Sequence, residues 1–156
     1  MKFHITMHQN ITDQPSENVL NRVNTIYVRN DLQPITIQLP IGYNGPKNDE
    51  GLEIYHTPED LYLGALSGCL FTTFSVVASN SNFRYDNLEI QTEGIMDVVD
   101  DVKMMTEIHQ TITLTIPAGS NPKKAQRILE IAEKRCPLAN SVKTKIINDY
   151  RVKINQ

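Results

Sequence analysis

The chain has 156 residues, the size of one ordinary domain, and 40% of them are hydrophobic, enough to build one adequate core. Fifteen Lys and Arg against eighteen Asp and Glu leave a net charge of −3, which gives no electrostatic reason to expect nucleic acid or an anionic membrane as partner. No internal repeat is visible, and a single domain over residues 1–156 is expected.

The first ten residues, MKFHITMHQN, alternate apolar with polar side chains and lack the continuous apolar stretch of a secretory signal. FHITMH, VNTIYVR and ITIQLP read as short strands, with Phe3, Ile5 and Met7 on one face and Ile35, Ile37 and Leu39 on another, so the first third is expected to be an antiparallel sheet fragment. Residues 41–56, IGYNGPKNDEGLEIYH, have the Gly, Pro, Asn and Asp content of a surface loop. They lack the Gly-Lys-Ser/Thr ending of a phosphate-binding loop.

A long helix is predicted from about Pro58 to Ala78. Thr57 caps it, Pro58 suits its first turn, and Glu59 and Asp60 place negative charge at the positive end of its dipole. Leu61, Leu63, Ala65, Leu66, Leu70, Phe71, Phe74, Val76 and Val77 surround the axis, predicting burial on nearly all sides. Gly64, Ser67, Gly68, Thr72, Thr73 and Ser75 interrupt the run and keep it short of the ~20 apolar residues of a membrane span. A cytoplasmic protein is the resulting expectation.

NLEIQTEGIMD and MTEIHQTITLTIP each alternate and form a hairpin through DVVDD, with Leu88 and Ile90 inward on the first and Ile108, Ile112, Leu114 and Ile116 inward on the second. Ser120 or Asn121 caps a second helix that starts at Pro122. Its stripe of Ala125, Ile128, Leu129 and Ala132 carries Cys136 onto the buried face. Pro137 pushes Cys136 out of the helical region, PLANSVKT opens a further short helix, and YRVKIN closes the chain as a strand. Strands, long helix, hairpin, helix and strand make an α+β fold with antiparallel pairing.

Cys69 and Cys136 are the two thiols. The plain reading makes both small apolar core residues. The chemical reading joins them in a redox cycle: a peroxide oxidises one thiolate to a sulfenic acid, which the second thiol captures as a disulfide, provided their Cα atoms come within ~7 Å. Local electrostatics favour Cys136 as the activated thiol, because it can cap the helix after Pro137 and follows Lys134 and Arg135. His4, His8, His56 and His109 make no metal-ligand spacing with each other or with the cysteines, and His109 shares the polar face of its strand with Glu107 and Thr111. Leu70, Phe71 and Phe74 read as core, with an apolar pocket beside Cys69 as their other use.

TPEDLYLGALSGCL, a hairpin and then AEKRCPLAN together resemble the OsmC/Ohr family, the osmotically inducible protein C and organic hydroperoxide resistance proteins. That family opens a long helix with Ser/Thr/Asn-Pro-Glu, places a cysteine ten positions after the Glu, and carries a Cys-Pro near the C-terminus; Glu59, Cys69 and Cys136-Pro137 match in order and spacing. The resemblance implies antiparallel sheets around a long buried central helix in an intertwined homodimer. It also implies a thiol peroxidase that reduces organic or other hydroperoxides without bound cofactor or metal. Cys69 would then attack and Cys136 resolve, the reverse of the local electrostatic ranking, and an external dithiol such as a lipoyl group would return the electrons.

Family members also use an arginine near the N-terminus, for which Arg22 is chosen over Arg29. Ten helical residues span ~15 Å, so Glu59 serves Cys69 only from a second copy or across a bend; otherwise it simply complements its helix dipole. A second reading keeps the scaffold as a small-molecule or partner-binding module with little peroxidase activity.

Overall fold

The computed structural model describes residues 3, 5–8, 24–28, 31–38, 47–52 and 54–155, in two units, Met1–Tyr62 and Leu63–Gln156. In the first unit the alternating segments form three short antiparallel strands, β1 (Thr6–His8), β2 (Asn24–Tyr27) and β3 (Ile35–Ile37). Thr6 stands opposite Tyr27, and Thr25 opposite Thr36. Ile26 and Ile37 are buried, whereas Phe3, Ile5 and Met7, expected together on one face, are exposed in this unit. Leu39 and residues 41–46 of the expected loop lie outside the described residues. Of its remainder, 47–52 is an exposed turn: the Asn48 carboxamide oxygen accepts from the N–H groups of Glu50 (3.1 Å) and Leu52 (2.8 Å), and Gly51 supplies φ of 80°.

Helix α1 (Pro58–Asn80) starts where the sequence places it. Thr57 Oγ1 accepts from the Asp60 N–H at 3.2 Å, and the Asp60 carboxylate accepts from the Thr57 N–H at 2.8 Å, a reciprocal capping box. The helix ends two residues past the expected Ala78. Asn82 takes φ of 46°, the Phe83 N–H donates to the Ala78 carbonyl and the Asn82 N–H to that of Ser79, the paired bonds of a left-handed C-terminal cap.

Burial of α1 departs from expectation. Leu66, Leu70, Phe74, Val77 and Ala78 form one buried stripe, while Phe71 (46%) and Val76 (54%) stay exposed with Gly64 and Gly68. Within the second unit the core takes up one side of a helix that is apolar all round. The membrane-span expectation is also corrected: an 18-residue window of α1 has a mean hydropathy of 1.7, so the helix is long and apolar enough to cross a bilayer by length and composition. Its hydroxyls interrupt little, because Ser67, Thr72, Thr73 and Ser75 donate to the carbonyls of Leu63, Gly68, Cys69 and Phe71 four residues back.

The second sheet runs β4 (Asn87–Val99), β5 (Val102–Ile116) and β6 (Lys145–Ile154) in that order. β4 and β5 form the expected antiparallel hairpin, Leu88 opposite Leu114 and Ile90 opposite Ile112. Its turn is shorter than DVVDD: the strands continue to Val99 and from Val102, and only Asp100 and Asp101 turn, with φ of 50° and 62°, as a two-residue hairpin loop demands.

β6 pairs parallel with β5, Ile108 beside Ile146 and Leu114 beside Val152, which corrects the all-antiparallel expectation. Residues 117–144, containing α2 (Pro122–Arg135), supply the long crossover that parallel neighbours need. Asn121 caps α2 through bonds from the Lys123 (2.9 Å) and Lys124 (3.3 Å) N–H groups. The predicted stripe of Ala125, Ile128, Leu129 and Ala132 is buried and joins Ile112, Leu114, Ile116, Leu70 and Phe74 in one core, to which Cys136 also belongs.

Candidate active site

Cys69 sits midway along α1, half-buried, and packs against the core cluster that contains Cys136. Cys136 is 1% exposed and terminates α2. Its φ of −66° and ψ of 111° are extended, as a residue before proline requires. The short helix expected after Pro137 is a single 3-10 turn, Ala139–Ser141. The chain there is pinned from both sides: the Cys136 N–H donates to the Glu133 carbonyl at 3.2 Å. The Cys136 carbonyl accepts from the Asn140 N–H at 3.2 Å and from Asn140 Nδ2 at 2.8 Å. Nδ2 also reaches the Lys134 carbonyl at 3.2 Å.

Both thiols are free, and they interact with each other. Burial, then the hydrogen bond with Cys69 and the negative charge of a Cys69 thiolate, push the Cys136 thiol above its ordinary value. The N–H groups of Ala139 and Leu138 act in the opposite direction, as the expected helix start would, but are outweighed. The local ranking that made Cys136 the activated thiol is therefore corrected, because desolvation exceeds the help from the turn.

A polar network anchored on Ser67 of α1 is not among the sequence-based expectations. The Ser67 and Thr92 hydroxyls lie 2.7 Å apart, and Gln110 Nε2 donates to Ser67 Oγ (3.3 Å) and Thr92 Oγ1 (3.2 Å). Gln110 is 3% exposed, and its signal in the sequence is the one polar member of an inward row that otherwise reads Ile108, Ile112, Leu114, Ile116. Asn140 was likewise missed, although it follows Cys136 by one helical turn.

Glu59 lies in the first turn of α1, half-buried, and its Oε2 is buried with no hydrogen-bond partner. α1 is one unbroken helix, so the ten positions between Glu59 and Cys69 hold the two ~15 Å apart along its axis. Gln38, 2% exposed in the first unit, likewise leaves both carboxamide atoms unpartnered. Arg22, Arg29 and His4 lie outside the described residues. Leu70 and Phe74 are core, whereas Phe71 is not.

His109 is half-buried and meets the Glu107 carboxylate at 3.0 Å. Lys145, also at 3.0 Å, and then His109 hold Glu107 below the usual carboxylate range. Among the described residues no group of three His, Cys, Asp or Glu side chains is arranged to hold a metal.

The model of the OsmC-like protein family matches residues 49–150, which include both cysteines. No curated protein matches. Among solved structures, the chain is similar to an OsmC-like protein from Mycoplasma pneumoniae (16% identity, TM-score 0.73, 100% of this chain and 99% of that one). It is also similar to an OsmC-like protein of unknown function from Vibrio cholerae (14%, 0.74, 96% and 99%). An organic hydroperoxide resistance protein from Elizabethkingia anophelis gives 16% identity and a TM-score of 0.66 over 99% of both chains. At these identities the solved structures establish a shared α+β fold, and the family model, spanning most of the sequence, shows that the chain belongs to the OsmC-like family.

Proposed function

We propose that the protein is a cytoplasmic, homodimeric thiol peroxidase that reduces organic or other hydroperoxides. The observation that carries this reading is the meeting of the two thiols, half-buried Cys69 on α1 and buried Cys136 at the end of α2. The Cys69 thiolate attacks the terminal peroxide oxygen; an S–O bond forms, the O–O bond breaks, and the alcohol leaves with a proton. Cys136 then loses its proton and attacks the Cys69 sulfur, displacing water and forming the disulfide. An external dithiol, such as a lipoyl group, returns two electrons by exchange and is itself oxidised to a disulfide.

Cys136 suits the resolving role, because a thiol kept protonated by burial is a poor first nucleophile. The exposed apolar side of α1, with Phe71 and Val76, supports a second copy as its cover. Within such a dimer Glu59, carrying a buried unpartnered oxygen, is assigned to the Cys69 site of the other copy, and Arg22 to steadying the thiolate.

The test is consumption of an alkyl hydroperoxide by the pure protein with excess dithiol. Wild type is expected to consume it catalytically and Cys69→Ser is not; equal consumption by the two overturns the reading and leaves a binding module on the same scaffold.

A further inference from the structure

The net charge of −3 hides a segregation along the chain. Residues 117–156 hold nine Lys and Arg against three Asp and Glu, whereas residues 1–116 hold six against fifteen. Helix α2 carries five of the nine. Lys123, Arg127, Glu130 and Lys134 recur at helical spacing on the side opposite Ala125, Leu129 and Ala132, and all four are exposed. Three cations and a single acid thus share one face ~16 Å long.

Helix stability does not account for these cations. α1 sets Glu59 and Asp60 at the positive end of its dipole, but α2 has no acid in its first turn and puts Lys123 and Lys124 there, where positive charge is unfavourable. Pairing does not account for them either. Lys124 Nζ donates to the Ser81 carbonyl at 3.0 Å, but Lys123, Arg127, Lys134 and Arg135 make no ion pair among the described residues. Glu130 Oε1 accepts from Gln126 Nε2 at 3.2 Å instead. Beside the stripe runs an open groove of about 560 Å³, where Pro122 and Val152 of β6 add apolar surface to Lys123, Gln126, Arg127 and Glu130.

Unpaired cations beside an apolar strip match an acidic protein surface that also brings apolar side chains. A nucleic acid fits less well, since Glu130 stands inside the stripe and the acidic remainder of the chain repels a long polyanion. The last turn of the same helix, with Lys134 and Arg135, leads directly into Cys136. We propose that the exposed basic face of α2 docks an acidic patch on the protein that carries the reducing dithiol. This rests on the peroxidase reading, in which the carrier's dithiol becomes a disulfide as Cys69 and Cys136 return to thiols.

The probes are two fluorescein-labelled peptides, each with one dihydrolipoyl-lysine, flanked in one by glutamate and in the other by glutamine. With the full chain at low salt, anisotropy should show saturable binding of the glutamate peptide, at least about tenfold tighter than the glutamine peptide and weakened by added salt. Lys123→Glu combined with Arg127→Glu should lose that advantage, and Glu130→Gln should tighten binding, a gain that a misfolded variant cannot produce. The glutamate peptide should also reduce diamide-oxidised protein faster than the glutamine peptide does. Neither measurement uses a peroxide, so a protein that consumes no hydroperoxide fails as a peroxidase without deciding the docking. Equal binding or equal reduction rates for the two peptides, no effect of these substitutions, or equally tight binding of a thymidine oligonucleotide of the same charge would each overturn the proposal. Loss of self-association in the charge-reversed protein would overturn it too, by making the face a contact between copies.

Discussion

Asn140 Nδ2 donates to the Cys136 carbonyl at 2.8 Å, and through its second bond to Lys134 it locks the segment that presents the Cys136 sulfur. The Pro137 ring removes one N–H from this stretch, so the carboxamide supplies donors that a continuing helix would have supplied. Asn140→Ala is expected to cost about 1–2 kcal/mol, lowering Tm by roughly 2–8 °C. If Cys136 resolves a sulfenic acid, the same variant should also lengthen the life of Cys69 sulfenic acid, read by a sulfenate-trapping reagent after one equivalent of peroxide. Unaltered trapping would reduce Asn140 to a structural role.

The protonation of Cys136 gives a second prediction. Its thiol sits above the ordinary 9.0 because of burial and the neighbouring Cys69, so little of it is thiolate at neutral pH. Disulfide formation should speed up by about tenfold per pH unit toward that value. For stability the sign runs the other way: a raised pKa means the folded state holds the proton more tightly. The associated stability is complete below the unfolded thiol's value and is lost as pH rises through the folded one. Urea midpoints compared between wild type and Cys136→Ser should converge as pH rises past 9.0.

Phe74 is fully buried and meets Tyr85 edge-on with ring centroids 5.1 Å apart. It joins α1 to the core cluster that contains Cys136 and against which Cys69 packs. Phe74→Ala should cost about 3–5 kcal/mol in denaturant unfolding, and a loss below about 1 kcal/mol would mean that the core collapses around the vacancy.

Local signals were the legible ones. Thr57, Pro58 and Asp60 announced the start of α1, and Ala125, Ile128, Leu129 and Ala132 gave both the rhythm of α2 and the inward placement of Cys136. Strand direction was not legible, because alternation has period two whichever way a neighbour runs; β6 could be read as a strand but not as parallel to β5. Which side of α1 is buried was also hidden, since apolar residues surround it. The electrostatics of Cys136 were misjudged because a rule about helix ends counts the N–H groups of Leu138 and Ala139 but not the desolvation imposed by a distant stretch of chain. The Ser67, Thr92 and Gln110 network spans three elements, and only a single polar gap in β5 pointed to it.

Gly94 gives a prediction about how α1 approaches the sheet. It faces inward on β4, opposite Ile108. A Cβ built there would stand 2.5 Å from Met105 Sδ and 3.0 Å from both Met105 Cε and Leu63 Cδ2. The thioether can swing aside more easily than the leucine, which is held on a helix. Gly94→Ala should therefore destabilise by about 1–3 kcal/mol through overpacking. Removing the main obstacle should relieve it: in a double-mutant cycle with Met105→Ala, the pair should cost about 0.5–2 kcal/mol less than the sum of the two single changes. Strict additivity in urea unfolding would show that crowding by Met105 is not what requires glycine at this position, leaving contact with Leu63 as the constraint.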